Sequence, residues 1–341
     1  MQQLLEDFEQ FRKKKYRSYK WHKRITKPFK IVYFLAVPAG ILSAILPFLL
    51  PFFLPLILVG VGLFITELIL YNKVFKEPDV RFRNRFKTEI MPKAFKLINP
   101  DFEYSPFEKI PERQIRGMAL FKDSIVNYYG EDYVKGKVQG VEIEFCEAFL
   151  YTEKYSAGSV AGGVLVNLFG GEGGDIGADG NEFAKQVRFF SGLILDVDFH
   201  KDFEGRVYAI PRRYLDSGLF KKKHFQGWRR TETGNAGFDQ VYAVFASNEV
   251  LLHYVLTPAL QEKFLHLKRK LGAEIFMSFQ SGNLNMGVNW GRDLFECDFA
   301  KGIPSISEFE NLSEDVQLFE DIVVSLSQER RIWGDKALRN Q

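Results

Sequence analysis

Acidic and histidine side chains alternate in one short segment of the chain, Asp196-Val-Asp-Phe-His-Lys-Asp202. In a strand, alternate side chains point to one face, so Asp196, Asp198 and His200 would lie together. Carboxylate oxygens and an imidazole could hold a divalent metal ion there. The same alternation is typical of a half-buried strand that turns its charges to water. The sequence favours this second interpretation, so we expect no metal, with these three residues as the candidates should one bind.

A second segment with unusual chemistry is a glycine-rich loop at 156–182, which has nine glycines in 27 positions. Glycine-rich loops bind phosphate in several folds, but here Gly-Lys-Ser/Thr is absent and Gly-x-Gly-x-x-Gly fails at Ile176. A single turn that resembles a calcium β-roll lacks the repeats such rolls need. The first half of the loop is apolar and could contact the membrane or a protein partner, although packing against its own domain is favoured. The candidate contact residues are Val164, Leu165, Leu168 and Phe169.

The remaining motifs give no catalytic signature. The other four histidines are scattered, and neither His-Glu-x-x-His, Cys-x-x-Cys nor Gly-x-Ser-x-Gly occurs. The two cysteines, Cys146 and Cys297, are too few for a disulfide scaffold, and we expect both to be reduced. We therefore predict no catalytic residue and no cofactor.

The elements that must position these residues begin with a long apolar run. The 36 residues from Ile31 to Thr66 include no charged side chain. About 20 apolar residues suffice to cross ~30 Å of hydrocarbon, so one straight helix through this run would be too long. Prolines spaced four residues apart from Pro47 to Pro55 mark a break. We therefore predict a transmembrane helical hairpin over 29–71, with spans near 29–46 and 52–71.

The charges that flank the apolar run support the hairpin. Residues 1–30 hold ten Lys/Arg and three acids, and residues 72–96 hold eight and three. Basic flanks stay in the cytoplasm, and two such flanks require an even number of crossings. We expect a multi-pass membrane protein with both termini cytoplasmic. The alternative is a re-entrant loop that enters and leaves the same face of the bilayer.

The rest of the chain is acidic and rich in strand patterns. The whole chain has a net charge of +3, of which the two flanks and Glu67 account for +11, so residues 97–341 carry −8. An acidic body argues against nucleic acid as a partner. Strands are expected at 141–151, 193–199, 206–210, 241–246, 274–279, 283–288 and 294–299. The strands at 193–199 and 206–210 are expected to form a hairpin, and those at 274–279 and 283–288 to be joined by a tight turn. Helices are expected from Pro258 to Leu271 and from near Ser313.

These patterns predict an α+β fold class, in which a mainly antiparallel sheet is covered by helices. The expected organisation is a basic cytoplasmic segment at 1–28, the transmembrane hairpin at 29–71, a basic connecting helix at 72–98 and a cytoplasmic domain at 99–341. The lipid bilayer is the expected partner of the basic flanks, because each Lys or Arg near an anionic surface contributes ~1 kcal/mol.

Three segments carry a resemblance to a known family: 190–207, 238–246 (Phe-Asp-Gln-Val-Tyr-Ala-Val-Phe-Ala) and 254–260 (Tyr-Val-Leu-Thr-Pro-Ala-Leu). They resemble a bacterial family catalogued as domain of unknown function 3137, which shares the order of basic N-terminus, apolar hairpin and body. The family has no established activity, so the resemblance implies no catalytic residue. It implies a bacterial inner membrane, and it suggests a LemA-type membrane protein as a partner, because family members are often encoded beside one.

Three functions are therefore considered, in order of preference. The first is a membrane-anchored scaffold or regulatory subunit whose cytoplasmic domain binds a protein partner. The second is a membrane-bound hydrolase that acts on lipid or envelope material through the acidic strand face at Asp196–Asp202. A channel built from several hairpins comes third, because the spans hold almost no polar residues. The sequence does not predict the oligomeric state.

Overall fold

The computed structural model describes residues 2–121, 125–156, 183–198, 204–215, 228–291, 294–297 and 306–328. The chain divides into two compact units. The hairpin unit comprises Met1–Lys93 and Glu296–Phe309, and the body comprises Ala94–Phe295 and Glu310–Gln341.

The hairpin unit begins with two long helices. Helix α1 spans Gln2–Ile45, a single 3₁₀ turn covers Pro47–Leu49, and α2 spans Leu50–Tyr71. The basic N-terminal segment and the first apolar segment therefore lie in one helix. Within the described residues, two helical stretches are long and apolar enough to cross a membrane, Leu5–Ile45 and Pro51–Ile98. The predicted break at the prolines is confirmed.

The chain continues from α2 as a helix with two π-helical turns. These turns, Asn72–Lys76 and Phe86–Ile90, enclose α3 (Glu77–Arg85) and precede α4 (Met91–Ile98). The returning segment runs antiparallel to α1, because Lys30 Nζ lies 4.0 Å from Glu67 Oε1 and the Phe8 and Phe82 rings are 5.3 Å apart.

A buried lysine ties a second part of the chain to the hairpin unit. Lys87 is only 3% exposed, and its Nζ lies 2.7 Å from Glu296 Oε1. Arg83 approaches the other oxygen of Glu296 at 3.4 Å. A buried charge is tolerated when it is paired in this way, so these contacts fix the segment around Glu296 against the hairpin.

The body is built on one antiparallel sheet, which has nine strands within the described residues, in the order β1-β2-β3-β4-β9-β8-β5-β7-β6. The mixture of helices and antiparallel sheet that the sequence predicts is confirmed. The strands are β1 (Glu103–Ser105), β2 (Asn127–Val138), β3 (Val141–Ser156), β4 (Phe183–Asp198), β5 (Arg206–Pro211), β6 (Arg229–Thr231), β7 (Tyr242–Ala246), β8 (Glu274–Gln280) and β9 (Asn283–Asn289).

Five helices and one 3₁₀ turn (Arg212–Tyr214) accompany the sheet in the described part of the body and at its margin. The helices are α5 (Glu112–Gly117), α6 (Ala236–Val241), α7 (Glu249–Val255), α8 (Pro258–Leu271) and α9 (Ile306–Gln328). Helix α8 has the ends that its sequence predicts. Thr257 Oγ1 accepts a hydrogen bond from the Leu260 amide, and Gly272 takes the left-handed conformation that ends the helix.

Both faces of the sheet are covered, but by different material. Helices pack on one face, where Phe264 of α8 contacts Phe279 and Phe95 of α4 contacts Phe145. On the other face, residues 110–121, which include α5, and residues 125–128 bury the alternate side chains of β3, β4 and β8 in a second apolar core. This apolar cover does not extend over the whole sheet. Beyond it, the side chains of β3 and β4 on the same face are carboxylates.

The tight turn between β8 and β9 is confirmed. Its central residues, Ser281 and Gly282, both have positive φ, 51° and 85°. This geometry belongs to the type I′ turns that match the twist of a two-residue hairpin. The turn fixes the register in which Gln280 faces Asn283.

Three sequence-based predictions of the fold are wrong. The segments at 193–199 and 206–210 do not form a hairpin, because β4 pairs with β9 and β5 with β8, so the β8–β9 hairpin lies between them. Residues 294–297 do not form a strand. Helix α9 begins at Ile306 and passes through Ser313, since a serine that could cap a helix is also tolerated inside one when packing favours it.

Candidate functional site

A polar concave surface lies where β2, β3, β4 and β9 extend beyond the apolar cover of the sheet. It is an open cleft of about 700 Å³, which we call the acidic cleft. Six carboxylates and two lysines line it: Asp101, Glu103, Glu142, Glu144, Asp196, Asp198, Lys135 and Lys137. Carboxylates outnumber lysines, so the cleft favours a positively charged ligand.

Strand register brings like charges together at the centre of the cleft. Glu144 of β3 lies directly opposite Asp196 of β4, and Glu142 lies opposite Asp198. Side chains that face each other across an antiparallel pair have Cβ atoms about 5 Å apart, and like charges there are destabilising. The two strands therefore hold four carboxylates in an arrangement that opposes folding unless other groups compensate.

Two side-chain amides provide part of that compensation. Gln114 of α5 donates from Nε2 to Glu144 and, at 3.0 Å, to Asp196 Oδ2. Asn283, at the start of β9, donates from Nδ2 to Asp196 Oδ1 at 2.8 Å. Both oxygens of Asp196 thus accept hydrogen bonds, and the amide of Gln114 bridges the two opposed carboxylates.

Asp196 nevertheless has a raised pKa. Burial is the main cause, and the nearby charges of Glu144 and Asp198 act in the same direction, while the hydrogen bonds from Gln114 and Asn283 oppose the shift. Burial also raises the pKa of Tyr133, as does its hydrogen bond to Glu144, so its hydroxyl stays protonated and donates to that carboxylate. The centre of the cleft therefore holds its negative charge at a cost in stability.

The two lysines pair with carboxylates in the outer part of the cleft. Lys135 Nζ lies 3.2 Å from Glu103 Oε2, and Lys137 Nζ lies 3.4 Å from Glu142 Oε1. These are exposed pairs, which contribute little to stability. Neither lysine appears in an ion pair with Asp196 within the described residues.

The chemistry that this cleft can perform is the binding of cations. Its oxygens suit a hard metal ion or the ammonium and guanidinium groups of another protein. Among the described residues that line it, none is a histidine, cysteine or serine.

The predicted site residues have different outcomes. Asp196 and Asp198 lie in the acidic cleft on one strand face, as expected, but nothing in the structure tests whether they bind a metal. His200 lies outside the described residues, and so does the apolar part of the glycine-rich loop with Val164, Leu165, Leu168 and Phe169.

Of the residues that line the cleft, sequence reasoning identified only Asp196 and Asp198 as site residues. Glu142 and Glu144 stand in the alternating segment Val141-Glu-Ile-Glu-Phe145, which was a usable signal for a charged strand face. Gln114 and Asn283 gave no signal, because only the fold brings them to Asp196.

A second group of carboxylates lies at an irregularity of β2. Oxygens of Glu131, Asp132 and Glu147 lie within 4.8 Å of one another, and Asp132 and Glu147 are buried. Asp132 accepts a hydrogen bond from Tyr104, and Glu147 Oε1 accepts one at 2.7 Å from the Leu294 amide. The strand register shifts here, and Asp132 has a φ of 57°, so a β-bulge brings these side chains together.

The two cysteines are buried, and their thiols are expected to be unreactive. Burial raises the pKa of Cys146 to about 11 and that of Cys297 to about 12. Thiolate is the reactive form, so neither residue is poised as a nucleophile.

Comparison with known proteins gives a family-model match over part of the chain and one structural alignment. Residues 188–328 match the family model described as "Protein of unknown function (DUF3137)", which confirms the resemblance seen in the sequence for that part of the chain. No curated protein matches. A crystal structure of the mycobacterial trehalose monomycolate transport factor A, TtfA, aligns with a TM-score of 0.34 and 10% sequence identity, covering 68% of this chain and 93% of that one.

Proposed function

We propose that this chain is a membrane-anchored protein of the bacterial inner membrane, with a hairpin that spans the bilayer twice. The observation that carries the proposal is the exposure of apolar side chains along α1 and α2. Phe34 is 76% exposed and Phe52 is 77% exposed. In the most apolar windows of the two helical stretches, only 18% and 6% of the residues are buried. A core helix of a soluble protein would be mostly buried, whereas lipid would cover such surfaces.

Helix lengths support a full crossing over a re-entrant loop. The 22 residues of α2 extend about 33 Å at 1.5 Å per residue, which matches the ~30 Å of the hydrocarbon core. The apolar part of α1, from Ile31 to Ile45, is shorter, about 23 Å, a mismatch that local thinning of the bilayer and snorkelling of the flanking lysines can accommodate. Because the helices are antiparallel and both flanks are basic, both termini would face the cytoplasm.

The body would serve as a scaffold or regulatory subunit that binds a protein partner. The acidic cleft supports this role, because its excess of carboxylates is suited to a Lys- or Arg-rich segment of another protein. A LemA-type membrane protein is the partner that the family resemblance suggests. The exposed charges of the cleft would govern recognition and the rate of association more than raw affinity.

Affinity purification of the tagged full-length chain in mild detergent tests this role. The test variant carries Glu142→Lys and Asp198→Lys in the cleft. The matched control carries Glu204→Lys and Glu232→Lys, at exposed acidic positions that do not line the cleft. We expect the wild type and the control to recover the same partner and the cleft variant to lose it. Recovery of no partner by the wild type, or retention of that partner by the cleft variant, would contradict the proposal.

A further inference from the structure

Helix α1 carries a dense basic surface directly before the apolar run. Between Lys13 and Lys30, all nine Lys and Arg side chains are exposed. The three acids of this segment of the chain all come earlier, at Glu6, Asp7 and Glu9. The helix therefore separates its charges along its length, with the positive end adjoining the apolar helices.

The basic surface of α1 lacks ion pairs over most of its length, whereas four of the eight Lys and Arg side chains at 72–96, the returning segment, form them. Within the described residues, none of the seven Lys and Arg side chains from Lys14 to Lys27 forms an ion pair. In the returning segment, Arg81 pairs with Glu77, Arg83 with Asp79 and Arg85 with Glu89, and Lys87 with Glu296, at 2.7–3.4 Å. The uncompensated charge of α1 is thus available to a partner outside the chain.

Apart from Lys30, whose Nζ lies 4.0 Å from Glu67 Oε1, distance along the helix separates this basic surface into two sets of four charges each. A proximal set, Lys20, Lys23, Arg24 and Lys27, begins about 6 Å and ends about 17 Å from Ile31 at 1.5 Å per residue. A distal set, Lys13, Lys14, Lys15 and Arg17, lies about 21–27 Å from the same point. Headgroups extend about 5–8 Å beyond the hydrocarbon, and screening reduces their potential within about 8–10 Å more. Only the proximal set lies within reach of lipid headgroups.

We infer that the proximal set is a binding surface for anionic phospholipid headgroups. This inference rests on the proposed membrane anchor and adds the class of lipid that the anchor selects. Lysine and arginine donate charge-assisted hydrogen bonds to phosphate oxygens. The exposed Trp21 lies within this set, between Lys20 and Lys23. Each Lys or Arg near an anionic surface contributes about 1 kcal/mol, which corresponds to about five-fold in association for each such contact.

Electron paramagnetic resonance of spin-labelled lipids in proteoliposomes tests the inference on the full-length chain. The measured quantity is the association of labelled phosphatidylglycerol at the protein boundary relative to labelled phosphatidylcholine. We expect a ratio clearly above one, up to about five, at low salt, and a fall toward one at about 0.5 M salt.

Two variants with the same change of charge provide the decisive comparison. The first replaces the four residues of the proximal set by glutamine, and the second does the same to the distal set. Both sets are exposed and glutamine favours helix, so the helix should persist in each. The proximal variant should lower the ratio most of the way to one, with the remainder coming from Lys30, Lys73 and Lys76, and the distal variant should keep the wild-type ratio.

The outcomes separate this inference from the proposed function. A chain that does not enter liposomes of any composition would overturn the anchor itself. A chain that enters liposomes but shows no preference for phosphatidylglycerol would overturn only the lipid selectivity. Equal losses in the proximal and distal variants would also overturn it, because they would show that the effect comes from net charge and not from a site near the bilayer.

Discussion

Replacing Asp196 by asparagine is expected to stabilise the body. The substitution keeps the size of the side chain, and its one oxygen can still accept from Gln114. A half-turn of the Asn283 amide lets Asn283 Oδ1 accept from the new Nδ2. It removes a carboxylate that faces Glu144 across the β3–β4 pair. A like-charge pair in that position costs about 0.2–1 kcal/mol, and the burial of Asp196 adds to the cost in the same direction. We therefore expect a gain in unfolding free energy of about 1 kcal/mol at neutral pH.

The stabilising effect of Asp196→Asn should depend on pH, and the raised pKa of Asp196 determines the direction of that dependence. The pKa of Asp196 is raised in the folded protein above its ordinary value of 3.8, mainly by burial. The folded state therefore binds the proton more tightly, and the wild type loses stability as pH rises from 3.8 through the raised pKa. The asparagine of the variant cannot ionise, so the advantage of Asp196→Asn should be absent at low pH, grow through this window and stay constant above it.

Thermal unfolding of the full-length chain in mild detergent measures the effect, with fluorescence of Trp228 and Trp290 as the reporters of the body. For a unit of this size, 1 kcal/mol shifts the midpoint by about 2–4 °C. The matched control is Asp101→Asn, which changes an exposed carboxylate in the same cleft and should shift the free energy by less than about 0.5 kcal/mol.

A variant that is less stable than the wild type at neutral pH would refute this reasoning. It would mean that the hydrogen bonds from Gln114 and Asn283 to the ionised carboxylate outweigh burial and repulsion. An equal gain in Asp101→Asn would also count against it, because the effect would then reflect the overall charge of the cleft.

Three further predictions concern the sheet and the thiols. Gly192→Ala should destabilise the body by about 3 kcal/mol or more in the same unfolding assay, because the new Cβ would lie 2.0 Å from a backbone carbonyl oxygen of β9. The control is Gly117→Ala, whose Cβ meets nothing within 4 Å, and it should be nearly neutral. Ser281→Asn should stabilise the β8–β9 turn by about 0.5 kcal/mol, because asparagine tolerates positive φ better than serine, and a lower midpoint would contradict this. Cys146 and Cys297 should not react with a thiol reagent at about pH 8 until denaturant is added, since burial holds their pKa values at about 11 and about 12; rapid labelling of the native protein would contradict this.

Local sequence patterns predicted the elements whose signals are local. The ends of α8 follow from Thr257 and Gly272, and the β8–β9 turn follows from Ser281-Gly282. The strand at Val141 was predicted from its alternation, although its full length was not. The hairpin at the prolines was predicted because an apolar run too long for one span must turn.

Pairing between distant strands could not be predicted in this way. The β4–β5 hairpin was a reasonable expectation because the two strands are close in sequence, but β8 and β9, roughly 70 residues further on, pair with them instead. The full set of residues in the acidic cleft could not be predicted for the same reason. Asp196 and Asp198 share a strand face, as the alternation predicts, but their facing partners Glu142 and Glu144 depend on register, and Gln114 depends on where α5 packs.

The most direct test of the account is the location of the two chain ends relative to the membrane. A single cysteine placed at each terminus of the full-length protein in turn, in sealed inner-membrane vesicles of known orientation, can be labelled with a reagent that does not cross the bilayer. Both cysteines should react from the cytoplasmic side only. Labelling of the two ends from opposite sides, or recovery of the chain in the soluble fraction, would contradict the account.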